Sequence, residues 1–312
     1  MKNMLFPDLS PVRDGWLAVG AGHEIYWQVS GNPKGIPVVW LHGGPGSSAS
    51  PLHRRFFDPT RYWIIQYDQR GCGRSLPQGS LVANQTQDLI EDLERLRLYF
   101  GLSSWAVVGG SWGGALALMY AQAHPEAVNR LLLRSPFLCT KEEIERFVQA
   151  PPSQCLESWS RLRAEIPEDS KEGILDFGYR IFSQTQDSEA QARLASAWAA
   201  YESAMNAFPA AAPELSPSDL KSMIARYRVQ CHYLAHQCFV QTGVLTFPKK
   251  LQGMGLTLIH GNQDALCPVE NSVHIQRLVP DAKLLRIEGA GHDLTDAKMV
   301  AAMRQAIESW SV

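Results

Sequence analysis

Short apolar runs of strand type alternate with helix-patterned segments along much of this chain, and that alternation restricts the fold more than any other feature. Pro37-Val38-Val39-Trp40-Leu41 runs straight into a Gly-rich turn, and Trp63-Ile64-Ile65-Gln66-Tyr67 is a second buried-type run. Leu89, Leu93, Leu96 and Phe100 then recur at helical spacing, with Gly101 as a stop signal. Trp105-Ala106-Val107-Val108 reads as a strand that breaks at Gly109-Gly110. A helical segment rich in Ala and Leu covers Ala115 to Ala123, and Leu131-Leu132-Leu133 follows. Strand, helix, strand in alternation predicts a mostly parallel central sheet with helices on both faces. Ahead of it, Trp16 to Val19 and Glu24 to Val29 predict a hairpin around Gly20-Ala21-Gly22-His23.

The alternation stops after about Pro136. From Cys139 to Thr246 the patterns are helical, broken at Pro151-Pro152, Pro209, Pro213 and Pro217, with no clear strand. Strand signals resume at Leu256 to His260 and at Lys283 to Ile287, and a last helix carries Val300, Met303, Ile307 and Trp310 on one face. The expected organisation is therefore an α/β core built from residues 1–138 and 247–312, interrupted by a helical insertion over 139–246. A chain of 312 residues is long enough for one such core and its insertion.

Composition narrows the function classes. Twenty-nine basic against thirty-one acidic residues gives a formal charge of -2, so no global basic field attracts nucleic acid or anionic membrane. No apolar run approaches the roughly 20 residues of a membrane helix. Met1 to Ser10 holds one Lys and no continuous apolar stretch, unlike a secretory signal. The six cysteines, at 72, 139, 155, 231, 238 and 267, form no CxxC pair. Reduced thiols in a cytoplasmic protein are the expectation.

Gly109-Gly110-Ser111-Trp112-Gly113 stands between a strand and a helix, which is the setting that gives G-x-S-x-G its chemical meaning. The tight turn tolerates little side chain near the serine and leaves its Oγ exposed above the sheet. A serine hydroxyl is a weak nucleophile and needs a general base oriented by a carboxylate. In this architecture the acid and then the histidine follow the serine in the chain. Asp264 lies just after the strand ending at His260, and His292 just after the strand ending at Ile287. Both loops fall on the sheet edge where open α/β folds bind ligands. An N-capping serine, a turn aspartate and a polar loop histidine are the ordinary alternatives, fair singly and improbable together. His42 reads as structural in its Gly-rich turn. His232 and His236 are four apart, but no Glu beside His232 completes a zinc-peptidase motif.

An acyl-transfer serine needs donors aimed at the developing oxyanion. One is expected from the Trp112 amide. The other is expected from His42-Gly43-Gly44-Pro45-Gly46, with Gly44 favoured and Gly43 open as the alternative. Gly-rich turns also cradle phosphates, but neither a G-x-G-x-x-G after the first parallel strand nor a G-x-x-x-x-G-K-[ST] is present.

Together with these motifs, Asp68-Gln69-Arg70-Gly71-Cys72-Gly73-Arg74-Ser75 and Gly261-Asn262-Gln263-Asp264 with Cys267-Pro268 give the chain a resemblance to proline iminopeptidases. The resemblance implies an α/β-hydrolase fold without metal or organic cofactor, a Ser111, Asp264 and His292 triad, and a helical cap at 139–246. It implies a peptide or small amide substrate with a free N-terminus, whose amine meets cap carboxylates. Trp198-Ala199-Ala200-Tyr201-Glu202 is similar to one family motif and offers Glu202. At the second acidic position this chain has Gln230, with Arg228 nearby, and Ser135-Pro136 replaces a glycine and an apolar residue. An esterase or amidase with a repurposed cap, and a non-catalytic binding protein on a hydrolase scaffold, are the competing expectations.

Overall fold

The computed structural model describes residues 5–149, 153–206 and 216–310. Pro151-Pro152, Pro209 and Pro213 lie outside the described residues. The elements in chain order begin with β1 (Arg13–Gly20), β2 (His23–Gly31), β3 (Ile36–Leu41), α1 (Pro51–Arg54), β4 (Tyr62–Tyr67), α2 (Thr86–Tyr99), β5 (Trp105–Gly110), α3 (Trp112–Ala123) and β6 (Val128–Arg134). Five helices follow: α4 (Lys141–Gln149), α5 (Leu156–Ala164), α6 (Ile174–Gln184), α7 (Ser188–Met205) and α8 (Pro217–Ala235). The chain then returns to the sheet with β7 (Leu256–Gly261), α9 (Glu270–Leu278), β8 (Lys283–Ile287) and α10 (Ala297–Glu308).

The eight strands form one sheet in the order β1-β2-β4-β3-β5-β6-β7-β8. β1 and β2 form the expected hairpin, and β2 also runs antiparallel to β4. Every other pairing is parallel. From β3 the chain moves to β4 on one side and then returns to β5 on the other. The loops leaving β3 and β5 therefore diverge, and they open the crevice in which such sheets bind ligands.

Both sheet faces are covered, which is why the parallel strands read as continuous apolar runs. Val39, Leu41 and Val107 pack with Leu89, Leu93, Leu96, Leu116 and Tyr120 from α2 and α3. Val38, Trp40, Ala106 and Val108 pack on the other side with Met299, Met303 and Ile307 from α10. The Tyr62 hydroxyl donates to the Ile307 carbonyl at 2.7 Å and satisfies the polar end of an otherwise apolar contact.

The helices between β6 and β7 hold a separate core around Phe182, Trp198, Tyr201, Tyr227 and Cys231. α8 faces two ways. Tyr227 and Cys231 belong to that core, whereas Val229, Tyr233 and Leu234 join the main one. Its backbone sits directly on the loop after β3: a Cβ on Gly46, which has φ +88°, would come within 2.3 Å of the Arg226 carbonyl oxygen. Only glycine satisfies both the backbone angle and the contact.

One strand end differs from expectation, and two helices, α1 and α9, carry no pattern that the sequence reading picked up. β5 continues through Gly109-Gly110, because Gly109 pairs with Leu41 of β3 and Leu133 of β6 and Gly110 pairs with Arg134 of β6. α1 is a single turn, capped by Ser50, with no room for a periodic pattern. α9 buries Asn271 and Ser272, so its inner face is not apolar enough to be read as a helix stripe. Among the described residues no helix is long and apolar enough to cross a membrane.

His53 of α1 stacks on Trp40, with ring centroids 4.6 Å apart, and its Nδ1 accepts the Ser50 amide at 3.3 Å. Burial, helped by the charges of His42, Arg134 and Arg54, pushes its pKa from 6.5 down to about 3. The unfolded chain therefore takes up this proton first as the pH falls. Stability should hold above about pH 6.5 and drop below it, by up to about 1.4 kcal/mol per pH unit from this group. Urea midpoints should fall between pH 7.5 and pH 5, and His53→Gln should make that decline shallower. Equal slopes for the two proteins would show that His53 is not held neutral.

Candidate active site

Ser111 ends the β5-to-α3 turn at φ 56° and ψ -125°. A non-glycine residue there is strained by about 1–3 kcal/mol. The surroundings hold it in place: its amide donates to the Arg134 carbonyl at 3.0 Å, and its carbonyl accepts the Gly114 amide at 2.9 Å and the Phe137 amide at 3.2 Å. The turn is pressed against the end of β3, where a Cβ on Gly113 would lie 2.2 Å from the Leu41 carbonyl oxygen. Ser111 thus stands at the crevice with its side chain on the wall of a cavity of about 230 Å³.

Asp264 and His292 arrive from the loops after β7 and β8. His292 Nδ1 lies 2.7 Å from Asp264 Oδ2. The carboxylate can only accept, so Nδ1 carries the proton and Nε2 is left as the base. Asp264 Oδ1 accepts the amides of Leu266 at 3.0 Å and Cys267 at 2.9 Å. Burial alone would raise this carboxyl's pKa. The charge and hydrogen bond of His292 and the Cys267 amide instead hold it well below the usual carboxylate range. His292 lines the same cavity as Ser111, with Asp264 fully buried behind it. Among the described residues Ser111 Oγ is not hydrogen-bonded to His292; its polar neighbour is Cys267 Sγ, 4.0 Å away. Catalytic hydrogen bonds are often long or unformed before substrate binds and tighten only in the complex.

Gly43 and Gly44 also line the cavity. A Cβ on Gly43 would lie 3.6 Å from that of Ser111, so the loop after β3 passes directly beside the serine. Among the described residues neither the Gly44 nor the Trp112 amide has a hydrogen-bond partner. Trp112 is the first residue of α3, where helix amides lack intrahelical acceptors. Its indole Nε1 donates to Gln69 Oε1 at 2.9 Å. Gln69 in turn donates its amide to His42 Nε2 at 3.0 Å and its side-chain Nε2 to the His42 carbonyl at 2.9 Å. One buried glutamine thereby ties the loops after β3, β4 and β5 together.

The inserted helices contribute Glu202 from α7 and Gln230 from α8 to the lining of the cavity. Trp198, Tyr201 and Met205 bury one face of α7, leaving Glu202 on the neighbouring face. Glu202 accepts from Gln230 Nε2 at 2.6 Å, Arg226 Nη2 at 2.8 Å and the Tyr227 hydroxyl at 3.1 Å. Burial would lower the Arg226 guanidinium, but Glu202 beside it holds it above its ordinary value. The cation next to this pair is thus Arg226. Arg228, expected from the sequence to be the nearby charge, instead donates to the Phe182 carbonyl at 2.6 Å.

Four further residues shape the site without having been singled out from the sequence. Gln69 was visible only as part of a motif. Arg226 precedes Gln230 by one helical turn, a spacing that was available as a signal. Arg134 donates to the His292 carbonyl at 2.8 Å and holds that loop. His260, fully buried, lies 3.7 Å from Asp264 and contacts Ser272 Oγ and the Cys267 carbonyl, bracing the acid loop. His232 Nε2 meets the Asn84 carbonyl at 3.0 Å. No group of three or more metal-ligating side chains occurs among the described residues.

The model of the alpha/beta hydrolase fold family matches residues 36–296. Proline iminopeptidase of Neisseria meningitidis is 37% identical over 302 residues, covering 96% of each chain. That of Xylella fastidiosa is 34% identical over 310 residues, covering 98% of this chain and 99% of its own. The Arabidopsis thaliana protein of the same name is 36% identical and covers 98% of this chain and 82% of its own. The chain belongs to the proline iminopeptidase family of α/β-hydrolases. Among solved structures, a proline iminopeptidase-related protein from Thermus thermophilus superposes with a TM-score of 0.59 at 20% identity, covering 95% of this chain and 97% of its own. That likeness carries the fold.

Cys267 lines the cavity and is almost fully buried. Burial, with the charges of Asp264 and Glu143, pushes its thiol well above the ordinary value, so it stays protonated and reacts slowly. A bulky organomercurial that reaches it should fill the space beside Ser111 and stop p-nitrophenyl acetate hydrolysis over minutes. Cys267→Ser should keep most activity and lose most of the sensitivity. A folded but inactive Cys267→Ser protein would give the thiol a chemical role, and unchanged sensitivity would move the reactive site to another cysteine.

Proposed function

We propose that this chain is a serine aminopeptidase that releases N-terminal proline from peptides or small amides, with residues 139–246 as a cap over the site. The observation that carries the reading is that one cavity is lined both by Ser111, His292, Gly43 and Gly44 and by Glu202 and Gln230. At about 230 Å³ the space is smaller than a drug-sized ligand pocket, which suits a single small residue. The substrate's terminal nitrogen lies towards Glu202 and Gln230, so the first peptide carbonyl is the one that reaches Ser111. Six free thiols, all buried, fit a reducing, cytoplasmic setting.

In this reading Ser111 Oγ attacks the scissile carbonyl while His292 Nε2 takes its proton. Asp264 fixes the imidazole orientation and stabilises its cationic form. The amides of Trp112 and Gly44 receive the oxyanion. His292 returns the proton to the departing amine, and water attacks the acyl-enzyme through the same base. No metal or organic cofactor takes part.

A second reading, an esterase or amidase acting on amine-free substrates, is favoured by one observation: Arg226 already neutralises Glu202. Proline p-nitroanilide, alanine p-nitroanilide and p-nitrophenyl acetate separate the two. Turnover of the prolyl anilide above the alanyl one supports the first, and ester-only turnover supports the second. Ser111→Ala should remove turnover of every substrate with the fold intact, leaving at most the roughly 10³–10⁴-fold residual over water typical of a broken triad. Asp264→Asn should lower kcat by about 10⁴. More than a per cent or so of activity in Ser111→Ala, or an unchanged kcat in Asp264→Asn, would remove that residue from the mechanism.

A further inference from the structure

Among the described residues the cavity wall is not net negative. Its charged side chains are two glutamates, Glu143 and Glu202, two arginines, Arg134 and Arg226, and the titratable His292. Each carboxylate is already engaged. Glu143 accepts from Asn271 Nδ2 and from the Leu138 and Thr140 amides, and burial raises its pKa, which favours the neutral form. Glu202 accepts from Arg226, Tyr227 and Gln230, as described above. Among the described residues an incoming ammonium group therefore finds no carboxylate without a donor, and at Glu202 it must compete with a guanidinium.

Gln230 is 4% exposed, and its Oε1 has no partner. Its orientation is fixed chemically: Nε2 donates to Glu202 Oε1 at 2.6 Å, and the flipped amide would set oxygen against oxygen. The unpartnered acceptor is thus a neutral amide oxygen buried in the wall beside the cavity, and its side chain must shift before an N–H, charged or not, can reach it. Arg226 itself stands between this cavity and a second one of about 400 Å³, walled by Gly46, Ser48, Gly73, Arg74 and Gln78 among others. Among the described residues no carboxylate lines that second cavity.

We propose that Arg226 is a specificity-determining residue: by pairing with Glu202 it removes the site's preference for a cationic nitrogen and admits acyl groups whose ring nitrogen is an uncharged N–H. The substrate class this adds is the neutral five-membered lactam amide, which has the ring size of proline without its charge. The inference rests on the aminopeptidase reading and concerns the part of the cavity wall formed by Glu202, Arg226 and Gln230.

The test compares L-prolyl with L-pyroglutamyl p-nitroanilide on the wild-type protein, Arg226→Met, Arg226→Lys and the Arg226→Met/Glu202→Gln double variant, each checked for fold by circular dichroism and melting temperature. The wild type should cleave both anilides with kcat/KM values within about tenfold of each other. Arg226→Met frees a charged acceptor, so the prolyl-to-pyroglutamyl ratio should rise by at least about tenfold, chiefly through KM for the prolyl substrate. Arg226→Lys should stay near the wild-type ratio. The double variant removes both charges and should return towards it, and it guards against Arg226→Met failing to fold with Glu202 left unpaired. A wild type that cleaves the prolyl anilide but not the pyroglutamyl one overturns the proposal. So does an unchanged ratio in folded Arg226→Met, or a double variant that favours the prolyl anilide as strongly as that single variant. If none of the proteins cleaves either anilide while p-nitrophenyl acetate is hydrolysed, the aminopeptidase reading itself has failed, and the inference falls with it.

Discussion

Gln69 is the interaction on which the geometry of the site depends. It is buried, and every polar group it offers towards the catalytic loops is matched: two bonds to His42 and one to Trp112. Each such bond contributes only about 0.5–1.5 kcal/mol net, but leaving a buried partner unmatched costs about 1–3 kcal/mol. The glutamine therefore sets the spacing between the loop after β3 and the nucleophile turn more firmly than apolar packing would. The rest of its motif serves the same loops. Asp68 accepts the Ala49 amide at 2.7 Å and the Arg74 amide at 2.9 Å, and Arg70 clasps the buried Asp92. These residues touch no reacting atom, yet they hold Gly44 and Trp112 in one frame.

That frame sits at the point where the strand order reverses, which explains why the site draws on so many separate loops. β3 and β5 are neighbours, but the chain leaves them towards opposite sides. The His42–Gly46 loop and the Ser111 turn come from these two ends, and the acid and histidine loops follow along the same sheet edge after β7 and β8. α8 closes the arrangement from above. Its contact through Gly46 brings the Arg226 backbone carbonyl against the loop after β3, so the inserted helices and the Ser111 side of the crevice are joined by direct packing.

The parts legible in the sequence were those carried by local pattern. Strand, turn and helix around Ser111 could be read because Val107 and Val108, the glycines and the Ala-rich helix all lie within a few residues. Asp264 and His292 followed from strand ends and chain order. The strand end at Gly109-Gly110 was misread, since glycine is a poor strand former and only the flanking parallel strands hold it there. What sequence reasoning could not reach were side-chain directions. Arg226 and Arg228 are two apart on one helix and point to different neighbours, one into the cavity wall and one to the Phe182 carbonyl. Choosing between them requires the position of α7, which is a tertiary fact. His260 was passed over for the same reason: as the last apolar-strand residue but one it looked like strand, and its closeness to Asp264 depends on how the loop folds back.

Two carboxylates solve one electrostatic problem with different partners. A carboxylate withdrawn from water must be bonded on all sides, and both Asp264 and Glu202 are. Asp264 has two backbone amides and an imidazole, and Glu202 has an amide group, a phenol and a guanidinium. The difference lies in when the positive charge is present. In the proposed mechanism His292 gains a proton from Ser111, so its attraction to Asp264 grows during the reaction and lowers the barrier. Arginine is charged throughout. Its attraction to Glu202 is complete before any substrate arrives and leaves little for a substrate ammonium to gain. The same acidic group is thus a source of catalysis where its partner can change charge, and a quiet part of the wall where its partner cannot.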